Sequence, residues 1–110
     1  MTTDRGVGVG RGSEAGSILE SARGRYRLRT DLSFETVATV LPELRRVLRN
    51  SEGAIELDLS EVERSDSAGV ALLIELMKMA RQGGYALHFT HVPRQLEILA
   101  AVAGVNDLLL

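Results

Sequence analysis

The 110-residue chain has no cysteine, so disulfides, thiolate nucleophiles and sulfur-ligated metals are excluded, a usage that agrees with a reducing compartment. It also lacks a dominant charge. Thirteen basic residues face 15 acidic ones for a formal net of -2, which leaves no long-range attraction for nucleic acid or an anionic membrane surface. No apolar run approaches the roughly 20 residues of a membrane-spanning helix, and residues 1–16 lack the apolar core of a signal peptide. These absences predict a soluble, cytoplasmic protein with no nucleic-acid partner and no direct membrane insertion. The length fits one domain, since domains of about 100 to 150 residues bury roughly two thirds of their unfolded surface. A second, catalytic domain has no room.

Catalytic signatures are missing too. The Gly-Val-Gly-Val-Gly-Arg-Gly run at residues 6–12 superficially suggests a phosphate-cradling loop, but no strand precedes it, no helix follows, and Lys-Ser or Lys-Thr is absent. Ser67 lies outside any Gly-X-Ser-X-Gly nucleophile turn. Asp58 and Asp66 lack an evident third ligand. His88 and His91, three apart in a strand-like segment, point to opposite faces and cannot chelate one ion. The sequence therefore predicts no catalytic residues, no cofactor and no metal.

What is present reads as a flexible, glycine-rich tail over 1–16 followed by a domain over 17–110. Short strands are expected around Ile18–Glu20 and Arg25–Thr30, joined by a turn at Ala22-Arg23-Gly24. In the second strand Arg25, Arg27 and Arg29 form a cationic face, read as solvated surface. Phe34, Val37, Val40, Leu41, Leu44, Val47 and Leu48 recur at helical spacing, so Ser33–Arg49 reads as an amphipathic helix. Pro42 should kink that helix or shift its start. Ala54–Leu59 alternates as a strand with Ile55, Leu57 and Leu59 inward, covered by Leu44, Leu73, Met77 and Leu99. A very apolar helix starts near Ser67 and carries a narrow stripe of Ala71, Glu75, Lys78 and Gln82. Gly83-Gly84 ends it, Tyr85–His91 reads as a strand, and Arg94–Ala103 as a last helix before an apolar Val105–Leu110. The order predicts an α/β domain, a small mixed sheet with helices against one face.

The segment from Ile55 to Gly69 carries the functional question, because a buried strand runs through an acidic turn into Asp66-Ser67-Ala68-Gly69 at a helix start. Ser65, Asp66 and Ser67 are all residue types that cap helices, so capping is the plain reading of the Ser67 hydroxyl. The alternatives are a phosphate acceptor or an interface contact. Ser67, Asp66, Ala68, Ala71, Ile74, Glu75 and Lys78 then outline a docking surface along the first turns of the helix.

The element order, the Leu-Asp-Leu-Ser strand end and the Asp66-Ser67-Ala68-Gly69 motif together resemble the STAS family, named for sulfate transporters and anti-sigma factor antagonists, over roughly residues 17–110. In the antagonist branch the serine at the position of Ser67 accepts phosphate from an anti-sigma factor kinase. The stretch Val70 to Gly83 and the Leu96–Leu109 region look more like the small cytoplasmic STAS subunit of the Mla phospholipid transporter of Gram-negative bacteria. That branch carries threonine where Ser67 stands. The resemblance implies a non-catalytic accessory subunit, peripheral at the inner membrane through its partner. The partner would be the ATPase of an ABC transporter and, through it, the permease complex that maintains outer-membrane lipid asymmetry. The alternative it implies is an anti-sigma factor antagonist switched by phosphorylation of Ser67.

Overall fold

The computed structural model describes residues 17–51 and 53–105. Strand β1 (Ile18–Ala22) turns at Arg23-Gly24 into antiparallel β2 (Arg25–Leu28), and β3 (Ala54–Asp58) and β4 (Ala86–Thr90) add in parallel, giving a mixed sheet in the order β1-β2-β3-β4. Helix α1 (Val37–Arg49) connects β2 to β3, α2 (Ser67–Gly83) connects β3 to β4, and α3 (Arg94–Val102) follows. Parallel neighbours require such crossovers. Among the described residues no helix is long and apolar enough to cross a membrane. The glycine-rich tail, the Gly-Val-Gly run and residues 106–110 lie outside the described residues.

The alternation in β3 decides which face is covered. Ile55 and Leu57 are buried with Leu28 and Phe89 under α1 and α2, whose Leu44, Leu48, Leu73 and Leu76 complete the core, and Leu96 and Ala100 of α3 are fully buried. Met77 and Leu99 reach only the margin of that core. The opposite face is polar. There Arg25, Arg27 and Arg29 do not form an isolated cationic patch, because register sets Arg25 beside Glu56 and Arg27 beside Asp58. The resulting ion pairs are Arg25–Glu56 (3.8 Å), Arg27–Asp58 (3.1 Å), Arg27–Glu61 (3.4 Å) and Arg29–Glu61 (3.7 Å).

Helix α1 starts at Val37 rather than Ser33. Thr36 Oγ1 donates to Asp31 O and accepts from Ser33 N (2.6 and 3.0 Å), which holds the preceding residues in turns and leaves Phe34 off the helix, 80% exposed. The later start places Pro42 in the second turn of the helix. At the far end of α2, Gly84 takes the left-handed conformation (φ 78°) and closes the helix through its amide.

Candidate functional site

The start of α2 is held by a segment far away in sequence. Leu32 pairs with Ser65 as an isolated parallel bridge: Leu32 N donates to Arg64 O (2.9 Å) and Asp66 N to Leu32 O (3.1 Å). Gly69 makes this approach feasible, since a Cβ there would lie 2.5 Å from Leu32 O and 2.9 Å from Leu32 Cβ. Arg64 N adds a bond to Asp31 Oδ1 (3.1 Å), and Ser65 N one to Gln95 Oε1 (3.3 Å). The loop from Leu59 to Asp66 is thereby tied to the loop before α1 and to the start of α3.

Within that frame the capping role falls to Asp66, which corrects the reading of Ser67 as the cap. Asp66 sits in extended backbone (φ -138°, ψ -170°), as an N-cap residue does, and its Oδ1 accepts from Ala68 N at 2.9 Å. Its other oxygen, Oδ2, accepts from Phe34 N at 3.0 Å. One carboxylate thus caps α2 and clamps the Phe34 segment. Ser67 is the first helical residue; it is exposed, and its hydroxyl makes no hydrogen bond among the described residues. Ser65, by contrast, is buried and its Oγ has no partner among the described residues.

A shallow groove opens beside Ser67 between α1 and α2. Its α2 wall is Ala68, Ala71, Leu72 and Glu75; its α1 wall is Val37, Ala38, Leu41 and Arg45, with Phe34 at the mouth. The structure therefore gathers Ala68, Ala71 and Glu75 at this groove, next to Ser67 and Asp66. Lys78 stays exposed further along the ridge that carries Ser67 and Ala71. Ile74 is not part of the groove: it lies on the other flank of α2, half-buried against the core. The α1 wall was not anticipated as a surface, because Val37 and Leu41 share the apolar periodicity of the core face.

Asp58 forms the other polar centre, on the open face. It is 16% exposed; Oδ1 accepts from Ser60 N (2.9 Å) and pairs with His91 Nδ1 (3.1 Å), while Oδ2 accepts from Arg27 Nε (3.1 Å). Burial alone would raise its pKa, but the bonds from Ser60, Arg27 and His91 outweigh it and hold the carboxyl below its usual range. Among the described residues His91 is the one non-glycine residue with positive φ (54°), and its ring contacts Asp58. Asp58 and Asp66 thus have separate structural partners. Among the described residues no three side chains of metal-ligating type converge, and Ser67 has no base within hydrogen-bond reach.

The family model described as "Mlab, STAS domain" matches residues 19–110. The chain belongs to the STAS-domain family. The small mixed sheet with its helices is that family's fold, and a crystal structure from Thermotoga maritima, of a protein described as an anti-sigma factor antagonist, is similar to it. The two superpose with a TM-score of 0.66 at 16% identity, over 84% of this chain and 80% of the other. Among curated proteins none matches significantly. STAS domains mediate protein–protein interactions.

Proposed function

We propose that this STAS domain is a non-catalytic docking subunit that binds a protein partner through the start of α2, and that the partner is the ATPase of an inner-membrane ABC transporter for phospholipids. The reading rests on one observation: Asp66 performs the capping, so the exposed Ser67 hydroxyl is left uncommitted beside an apolar groove. A hydroxyl with no structural task, on a rigid helix start, is available for an interface. The choice of partner draws on the match of the Mlab family model to almost all of the domain. The protein would then sit at the cytoplasmic side of the inner membrane through that ATPase and its permease, and support outer-membrane lipid asymmetry.

A second reading, phosphorylation of Ser67 by an anti-sigma factor kinase, is favoured by the same exposure and by the described role of the Thermotoga maritima protein. A phosphate there would add about -1.5 to -2 charge next to Asp66. It would expel a partner rather than unfold the domain.

The test is binding of the purified cognate ATPase, by titration calorimetry, to Ser67→Ala and Ser67→Asp. With Asp66 as the cap, both variants should melt like the wild type. Ser67→Asp should lose the ATPase, because interface centres tolerate an unpaired charge poorly. Unchanged binding by both would move the interface away from Ser67, and phosphate incorporation with an anti-sigma factor kinase but no ATPase binding would select the second reading.

A further inference from the structure

Phe34 indicates what the groove takes. Its ring is 80% exposed, although phenylalanine is among the residues most often buried. The backbone imposes this exposure. Phe34 N is held by Asp66 Oδ2, and Leu32, two residues earlier, is bonded through both its N and its O to the strand leading into α2. The ring is therefore presented at the groove mouth by the carboxylate that caps α2. From that end the walls run from Val37 to Arg45 and from Ala68 to Glu75, each about two turns, or about 12 Å at the helical rise. The floor is apolar. The far end carries one charge of each sign, since Arg45 and Glu75 both line the groove, half-buried, without an ion pair among the described residues.

We infer that the groove binds one amphipathic helix of the protein partner, with Phe34 packing on its first apolar side chain and Arg45 and Glu75 pairing with an acid and a base near its other end. The inference rests on the docking reading above and adds the form and charge pattern of the partner segment. Apolar side chains spaced i, i+3 or i+4, and i+7 cover two turns, the length available. A segment added as a β-strand would need a free sheet edge for its backbone bonds, and here both walls are helices whose backbone groups are bonded internally. Charges left unpaired at half-buried positions select a complementary partner and reject one of like sign.

The test uses the full chain and the purified cognate ATPase, with Phe34→Ala, Arg45→Glu and Glu75→Lys measured by calorimetry and a photo-crosslinking residue at position 38 in the α1 wall. Phe34→Ala should weaken binding by about tenfold or more, and each charge reversal severalfold, with melting curves unchanged. Cross-links should fall on partner residues three or four apart. Wild-type affinity in all three variants would overturn the groove while leaving the docking reading in place. No binding by the wild type would remove the docking reading, and this inference with it. Cross-links to residues 1–16 of the same chain, or a Phe34-dependent dimer in light scattering, would give the groove another occupant and overturn the inference.

Discussion

Replacing Asp66 by alanine removes two bonds at once, the cap on Ala68 N and the clamp on Phe34 N. Loss of an N-cap side chain costs about 1 kcal/mol within a range of about 0.5 to 2. Hydrogen bonds to charged groups contribute about 1.5 to 3 kcal/mol, but the exposed Phe34 amide regains water when released, so about 1 kcal/mol is the better figure for the clamp. The sum is about 2 kcal/mol, which lowers the melting temperature of a domain this size by about 8 to 16 °C. Asp66→Asn separates the two bonds: its amide oxygen still caps, as asparagine caps about as well as aspartate, while its NH2 faces the Phe34 N–H and cannot accept from it. That variant should lose about 1 kcal/mol, with faster hydrogen exchange at Phe34. Ser67→Ala should stay within about 0.5 kcal/mol of wild type, as an exposed residue without a structural bond does. Thermal and urea unfolding of the three variants decide the matter. A loss in Ser67→Ala as large as that in Asp66→Ala would return the cap to Ser67 and undo the argument for its free hydroxyl.

Those three neighbours also show where sequence reasoning stops. Ser65, Asp66 and Ser67 are equally good capping types, and which one caps depends on which adopts extended backbone before the first helical residue. That residue is fixed by the bridge between Leu32 and Ser65, a contact across 33 positions that local chemistry does not contain. The same segment misled the reading of α1. Phe34 matches the helical spacing of Val37, Leu41 and Leu44, but the Asp31, Ser33 and Thr36 bonds delay the helix until Val37 and turn the ring outward. In the sheet, by contrast, the pattern was sufficient. Ile55 and Leu57 against Glu56 and Asp58 name the buried face, because in a strand one face follows from alternation alone. What alternation cannot supply is the neighbour: Arg25 and Arg27 read as a cationic face until parallel register brings Glu56 and Asp58 beside them. The α2 half of the groove was legible as a stripe on one helix. Its α1 half and the separation of Ile74 from it depend on how two helices pack, which periodicity on either helix does not encode.

Two further predictions follow from the core and from the open face. Leu57, 2% exposed at the centre of the sheet, should cost about 2 to 5 kcal/mol when replaced by alanine; an unchanged urea midpoint would contradict its place in the core. Asp58 should set the acid limit of stability. Its folded pKa lies below the unfolded value of 3.8, so its contribution is fully present above that value and is lost as pH falls through the folded one. Protonation weakens the acceptor that serves Ser60 N, Arg27 and His91 together and leaves Arg27 without part of its counter-charge. Stability measured between pH 7 and pH 2 should therefore decline on the acid side of about pH 4. Asp58→Asn should start lower at neutral pH and decline less steeply. Acid limbs that superimpose in the two proteins would show that other carboxylates carry the transition, and that the Asp58 bonds contribute nothing to it.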